Sequence, residues 1–230
     1  QNNLIFHKIR TANLGYIRYG KYFSDIGYIP LLSGAISIIE LNRPYEELKK
    51  DFSKSRRYDL KKASNSPIKV EDVDITNSNL KEFYRIYEKV IIERHASTPY
   101  PFSLFSELEN YFSENLKLVM ASYEDEYVGG FLYFLGEKES RIYHLFGAVL
   151  EDYFKYYVTE LLHEYSIKWA IKNKYKIYDL GGTTANFESG GFKFKTQFGK
   201  AIPSLSWMKI YSKPKWNLYR LGRYLYRKLK

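Results

Sequence analysis

The spacing of apolar and polar residues along the chain predicts an α/β protein. Apolar residues at helical spacing predict four helices, over residues 45–63, 78–92, 103–112 and 154–172. Alternating or continuous apolar runs predict strands, over residues 4–9, 15–19, 36–41, 68–73, 116–123, 127–135, 140–148, 176–180 and 199–210. Polar turns separate the three strands between residues 116 and 148, so these strands are predicted to form an antiparallel meander. The tail after Pro214 again has helical spacing.

One segment near the C-terminus carries the most specific pattern. Ile177–Leu180 has the composition of a short buried strand. Gly181 and Gly182 end that strand, where the backbone needs unusual dihedral angles or a close approach to a ligand. Aromatic and basic residues then alternate from Phe192 to Phe198, a pattern that is typical of an amphipathic strand. On such a strand Lys195 is either a solvated side chain or a functional cation between aromatic rings.

Composition and charge narrow the classes of function. The chain has 24 Tyr and 15 Phe, which predict an aromatic core, and it has no Cys, which excludes disulfides, thiolate nucleophiles and Cys-ligated metals. Its four His show no metal-ligand spacing, so no metal is expected. The net charge is +10, and this excess of positive charge lies at the C-terminal end, because residues 189–230 hold 11 basic and no acidic side chains. This basic end, with a second basic run over residues 49–62, predicts an anionic partner.

The segment from Asp179 to Gly199 resembles the signature of the FemA/FemB/FemX peptidyltransferases: Asp-x-Gly-Gly, a spacer, then Gly-x-x-x-Phe-Lys-x-x-Phe-Gly. The run from Arg56 to Ala63 is similar to a helix of that family, and the order of predicted elements is similar to the GNAT acyltransferase fold. The resemblance covers residues 40 to 210 approximately. It implies an α/β GNAT-like fold, with a mixed, mostly antiparallel sheet flanked by helices. Residues 1–75 are then a partial N-terminal lobe, 76–211 the acyltransferase domain and 212–230 a basic amphipathic tail.

This resemblance also implies a reaction. Family members attach amino acids from aminoacyl-tRNA to the peptide of a lipid-linked peptidoglycan precursor. We therefore expect aminoacyl-tRNA and a lipid-linked or nucleotide-linked cell-wall precursor as partners, in the cytoplasm or at the inner face of the plasma membrane. Two alternatives stay open. One is an N-acyltransferase that uses acyl-CoA or another donor on an envelope polysaccharide sugar. The other is a non-catalytic module that binds tRNA or anionic lipid.

The sequence disfavours CoA as the acyl donor. A GNAT enzyme that uses acyl-CoA normally carries Arg/Gln-x-x-Gly-x-Gly/Ala after its central strand, where backbone N–H groups hold the pyrophosphate. Here the stretch from Phe146 to Tyr153 contains one glycine followed by Glu151 and Asp152, which would repel a pyrophosphate. We therefore expect aminoacyl-tRNA as co-substrate and no separate cofactor.

The resemblance and the chemistry of individual side chains together predict the residues of the site. Lys195, beside Phe194, is expected to stabilise the oxyanion of acyl transfer. Asp179 is expected to act as a base or to orient a neighbour, or else to cap the glycine turn. One of Tyr143 and His144 must face inward, and Tyr143 is taken as the substrate contact. The other expected substrate contacts are Arg94, His95, Tyr100, Gly181, Gly182, Arg56 and Arg57.

The basic tail has three open interpretations. Aromatic and basic residues interleave along its predicted helix, which suits the surface of an anionic membrane. Binding to tRNA phosphates is the second interpretation. The third is a solvated helix that packs on the domain.

Overall fold

The computed structural model describes residues 4–10, 14–95 and 97–228. The strands in these ranges are β1 Phe6–Arg10, β2 Ile29–Glu40, β3 Lys69–Val73, β4 Leu116–Tyr123, β5 Glu126–Gly136, β6 Arg141–Val149, β7 Ile177–Thr183 and β8 Lys200–Ile210. The α-helices are α1 Gly20–Asp25, α2 Tyr45–Leu48, α3 Lys54–Ala63, α4 Asn77–His95, α5 Phe102–Phe112, α6 Val158–Lys172, α7 Gly190–Thr196 and α8 Lys213–Lys228. None of the described helices is long and apolar enough to cross a bilayer.

The chain divides into two compact units. The smaller unit comprises residues 1–36, 182–192 and 202–230, and the larger one comprises residues 37–181 and 193–201. In the smaller unit β8 lies between β1, with which it pairs in antiparallel fashion, and the first part of β2. These are packing units, and the domain boundaries that the sequence suggested after residues 75 and 211 stay predictions.

The larger unit contains the meander and the helices that cover it. Its strands follow the order β2-β7-β6-β5-β4-β3, in which β3, β4, β5 and β6 pair in antiparallel fashion and β6 pairs with β7 in parallel. One apolar cluster contains Leu162 and Ile167 of α6, and a second contains Phe83 of α4 and Phe105 of α5. Because α4 and α6 belong to different clusters, both faces of the sheet are covered. The expected fold class, a mixed and mostly antiparallel sheet flanked by helices, is confirmed.

Some predicted elements differ from the structure. Residues 15–19 were expected to form a strand but lie in a 3-10 helix, Leu14–Tyr19. The expected helix over residues 45–63 is broken, because Ser53 accepts a hydrogen bond from the Arg56 N–H (3.1 Å) and so begins a new helix. The alternating stretch after Gly190 forms helix α7 rather than a strand. Its aromatic residues therefore follow helical rather than strand geometry.

Candidate functional site

The site begins where two central strands of the larger unit separate. Strands β6 and β7 are paired from Arg141 and Ile177 to Tyr143 and Asp179, and the ladder ends there. A pocket of about 320 Å³ opens beyond this point. Its walls include Phe131, His144, Leu180, Phe194 and Lys195. The cavity thus lies where the β6–β7 ladder ends. The end of the predicted Asp-Gly-Gly strand and the predicted catalytic lysine both reach it.

Lys195 reaches this pocket from α7. Its side chain is half-buried, and burial lowers the pKa of its ammonium while the carboxylate of Asp179 opposes that shift. The backbone carbonyl of Lys195 accepts a hydrogen bond from Ser37 Oγ at 3.1 Å, which ties the helix to β2. The structure thus places the Lys195 side chain in a partly apolar cavity, and its expected role in stabilising an oxyanion stays a prediction.

Gly181 forms the turn beside the lysine. Its φ of +79° lies in the left-handed region, which side chains other than glycine rarely adopt. A methyl group at Gly181 would lie 3.6 Å from Lys195 Nζ. Gly182 belongs to the smaller unit, where a methyl group would meet the carbonyl of Ala35 at 3.9 Å. The shape of the turn accounts for Gly181, whereas a ligand contact of either glycine stays a prediction.

Asp179 holds the turn that follows it. Its Oδ1 accepts a hydrogen bond from the Gly181 N–H at 2.8 Å, and its Oδ2 lies 3.5 Å from Arg141 Nη1. Burial raises the pKa of the Asp179 carboxyl, and the Gly181 N–H and the charges of Arg141 and Lys195 oppose that rise. The geometry favours the capping role over the role of a base, and the latter stays a prediction.

His144 lines the pocket, although the sequence interpretation took its neighbour Tyr143 as the substrate contact. Its Nε2 is buried, and the described residues offer it no hydrogen-bond partner. The ring lies against Phe131, with centroids 4.5 Å apart, and a methyl group at Gly147 would come within 2.7 Å of Nε2. Burial, with a smaller contribution from the charge of Lys195, lowers the pKa of His144 to about 3. The imidazole is therefore neutral at physiological pH, with one nitrogen available to a ligand.

Tyr143 is the neighbour that was expected to contact substrate, and it does not line this pocket. Its ring lies 5.5 Å from the Arg141 guanidinium. The pairing of β5 with β6 shifts between Leu132 and Tyr133, so the regular alternation of faces is interrupted close to these residues. Alternation alone could not decide which of Tyr143 and His144 faces the cavity.

A chain of buried polar side chains supports the pocket. His163 Nδ1 lies 2.7 Å from the hydroxyl of Tyr178, which lies 2.8 Å from the hydroxyl of Tyr133. Burial is the main cause that lowers the pKa of His163 and raises the pKa values of both tyrosines, so all three groups are neutral. Nothing in the sequence pattern indicated that these residues meet, because they come from three different elements.

Arg56 and Arg57 lie in different environments. Arg56 is only 3% exposed: its Nη1 donates to Glu160 and its Nη2 donates to Gln197 Oε1 at 2.7 Å. Its guanidinium also lies 4.3 Å from the ring centre of Phe194, which lines the pocket. Arg57 is exposed and donates to the carbonyls of Lys50 (2.8 Å) and Phe52 (2.5 Å). Arg56 therefore supports the pocket from behind, and its expected contact with an anionic substrate is not favoured by this geometry.

The expected contacts at the end of α4 and in the loop that follows it lie in different environments. Arg94 is exposed and lines the pocket, with its guanidinium 4.7 Å from the ring centre of Phe154. Tyr100 is 58% exposed and lies against Phe146, outside the pocket lining. The side chain of His95 lies outside the described part of the chain. Of these three expected contacts, Arg94 is the one that the structure places at the cavity.

A second pocket of about 180 Å³ shares Arg94 with the first one. Its walls carry the carboxylates of Glu93, Glu151 and Asp152, together with the cations of Lys89 and Arg94. Glu151 and Asp152 begin the 3-10 turn that follows β6. A pyrophosphate at this turn would meet two adjacent carboxylates, which is the repulsion inferred from the sequence.

The chain is similar to known proteins in sequence profile and in fold. The sequence profile of an acetyltransferase (GNAT) domain matches residues 51–195. FemX aligns with a TM-score of 0.71 at 15% identity, over 93% of this chain and 74% of that protein. L-PGS from Bacillus licheniformis aligns with a TM-score of 0.62 at 15% identity, over 90% of this chain and 69% of that one. The C-terminal domain of a putative lysylphosphatidylglycerol synthetase from Agrobacterium fabrum aligns with a TM-score of 0.62 at 12% identity, over 84% of this chain and 65% of that one.

No curated protein matches the chain. The likeness to the solved structures is one of fold, and it confirms the expected resemblance to FemX at that level. The profile match extends from the loop before α3 to Lys195 and so contains most of the pocket. It also covers more than half of the chain. The chain therefore belongs to the acetyltransferase (GNAT) domain family.

Proposed function

We propose that this acyltransferase moves an amino acid from aminoacyl-tRNA to an amine of a cell-envelope precursor, with the amide as product. The observation that carries the proposal is the position of Lys195, a half-buried cation at the Gly181 turn of a cavity with apolar walls. A cation held there is suited to the negative charge that develops on a carbonyl oxygen during acyl transfer.

The proposed step is an attack of the amine on the ester that joins the amino acid to the tRNA. The amine nitrogen forms a bond with the ester carbon, and the carbonyl oxygen becomes an oxyanion that the Lys195 ammonium stabilises. The bond to the ribose oxygen then breaks, and that oxygen takes the proton that the amine loses. In the neutral tautomer with its proton on Nδ1, His144 accepts a hydrogen bond at Nε2 from the incoming amine and so directs the lone pair of the amine nitrogen at the carbon.

Two further findings support an aminoacyl donor. The turn after β6 presents Glu151 and Asp152, so the position where a GNAT enzyme holds the CoA pyrophosphate is negatively charged here. One structural neighbour, from Agrobacterium fabrum, is named a putative lysylphosphatidylglycerol synthetase, a name that describes a lysyl group joined to a phospholipid. An enzyme with these substrates acts in the cytoplasm, where charged tRNA is made, at the inner face of the plasma membrane.

The experiment is transfer of radiolabelled amino acid from a mixed aminoacyl-tRNA pool to a lipid-linked peptidoglycan precursor, with acetyl-CoA as a parallel donor. We expect label from tRNA in the lipid fraction. Lys195→Ala should lower kcat by about 100-fold to 1,000-fold, the usual cost of removing one oxyanion partner. Lys193→Ala is the matched control, since Lys193 is an exposed lysine on the same helix.

The competing donor is tested in the same assay. The matching family is an acetyltransferase family by description, so label from CoA alone would replace the proposal with an N-acyltransferase that uses acyl-CoA. Near-full activity of Lys195→Ala would remove the proposed role of the lysine whichever donor is used.

A further inference from the structure

Helix α8 packs against β1 of the smaller unit through aromatic rings in its first turns. The ring of Trp216 lies 4.8 Å from that of Phe6 in β1, and the ring of Tyr219 lies 5.6 Å from the same ring. Trp216 and Tyr219 also stack on each other at 5.6 Å. Trp216 and Tyr219 lie on one face of the first turns, so their contact with Phe6 fixes the rotation of the helix.

A different face of α8 carries leucines. Leu218, Leu221 and Leu225 stand at positions i, i+3 and i+7, which share one side of a helix. With 3.6 residues per turn, Leu218 lies about 200° around the helix from Trp216. The three leucines are 71%, 54% and 49% exposed. The contacts that hold the helix to β1 therefore direct this leucine stripe into solvent.

The charge on the same helix is of one sign. Residues 213–228 contain no Asp or Glu, and the cations whose side chains the structure describes there, Lys213, Lys215, Arg220 and Arg223, are exposed. Lys215 stands three residues before Leu218 and so lies beside the leucine stripe. A helix of 16 residues is about 24 Å long, which is shorter than the ~30 Å hydrocarbon core of a bilayer. Such a helix can lie on a bilayer but does not span it.

We propose that α8 docks the protein on an anionic lipid surface. The leucine stripe enters the boundary between headgroups and acyl chains, and the basic side chains attract acidic headgroups. An RNA partner would use the basic side chains but would leave the leucines in water. A lipid surface matches both features, and for that reason it is the occupant that the helix favours.

The cations on the far side of the helix contribute through space. Arg220 and Arg223 point away from the leucine stripe, at a distance of about one helix diameter, ~10 Å. This distance is close to the Debye length of ~8–10 Å at physiological salt, so their attraction to the surface is partly screened. Salt should therefore weaken the contribution of the cations to membrane binding. It should leave the contribution of the leucines in place.

The test uses the purified chain and vesicles, without any transfer assay, so its outcome is independent of the proposed reaction. Sedimentation is measured with phosphatidylglycerol-containing vesicles and with pure phosphatidylcholine vesicles. The stripe variant is Leu218→Gln, Leu221→Gln and Leu225→Gln together, which keeps helix formers on the helix. The charge variant is Arg220→Glu with Arg223→Glu. The matched control replaces two exposed leucines elsewhere, Leu32→Gln with Leu145→Gln.

We expect the chain to sediment with the anionic vesicles, and the stripe variant to lower the partition coefficient at least tenfold. The charge variant should lower it too, and the control should behave as the wild type. Circular dichroism and thermal melts establish that each variant is folded. Equal binding to both vesicle types, absence of binding, or full binding by the folded stripe variant would overturn the proposal. Binding of α8 to tRNA in place of vesicles would assign the helix to RNA instead.

Discussion

The buried ion pair behind the pocket allows a quantitative test of what holds Lys195 in place. Arg56 and Glu160 have side chains that are 4% and 13% exposed, and they join α3 to α6. Replacing Glu160 by Gln keeps the shape of the side chain but leaves the Arg56 charge without its main partner. The loss of one member of a buried pair costs about 3–5 kcal/mol. Gln197, and Asp59 at 3.7 Å, still face the guanidinium, so we expect about 2–3 kcal/mol here.

The pair is best measured as a double-mutant cycle. Arg56→Met removes the cation that packs on Phe194 and Phe198, and it leaves Glu160 unpaired. The double variant Arg56→Met with Glu160→Gln leaves neither charge buried, so its cost should fall about 1–3 kcal/mol short of the sum of the single costs. Urea denaturation followed by circular dichroism gives the four free energies of unfolding.

An exposed ion pair in the same unit supplies the control. Lys200 and Glu40 lie 3.1 Å apart with side chains 74% and 51% exposed. Glu40→Gln should therefore change stability by less than about 0.5 kcal/mol. If Glu160→Gln costs no more than this control, or if the two single costs simply add, the pair is not the support of the pocket that its geometry indicates.

Two further predictions concern His144. The unfolded imidazole takes a proton near its ordinary pKa of about 6.5, whereas the folded one resists protonation down to a pKa of about 3. The unfolded state therefore binds more protons in this window, and the free energy of unfolding should fall by up to about 1.4 kcal/mol per pH unit as the pH drops below about 6.5. His144→Phe should flatten this acid limb in urea titrations, and an unchanged slope would show that the imidazole titrates normally. Gly147→Ala would place a methyl group 2.7 Å from His144 Nε2 and force the ring to turn, so transfer should fall at least tenfold while thermal melts show a folded protein. Wild-type transfer in this variant would exclude Nε2 from the reaction.

The parts of the fold that follow from local pattern could be predicted from the sequence. Strand β4 is buried over nearly all its length, and α6 has clear helical spacing, so each gave a strong signal. The Asp179-Gly181 turn was also predictable, because few residue types tolerate a positive φ. These features depend on residues close together in the chain.

The parts that depend on distant residues could not be predicted in the same way. Arg56 lies in a basic run that reads as a solvated helix face, and its burial depends on Glu160 and Gln197. The alternation from Phe192 to Phe198 fits a strand as well as a helix, and the packing of Phe194 and Phe198 with Arg56 accompanies the helical form. His144 faces the pocket close to a shift in the register of β5 and β6, and no local sequence pattern reveals that shift.

The wide separation of the groups that support the pocket has a consequence for folding. Arg56 meets Glu160 across 104 positions of the chain and Gln197 across 141. Closing such long loops costs entropy before the contact is formed, so contacts of this kind are generally late events in folding. A chain with its hairpins and α6 already in place would still lack an ordered α7 and hence a positioned Lys195. Recovery of transfer activity during refolding should therefore lag behind recovery of secondary structure, and activity reports on completion of the fold.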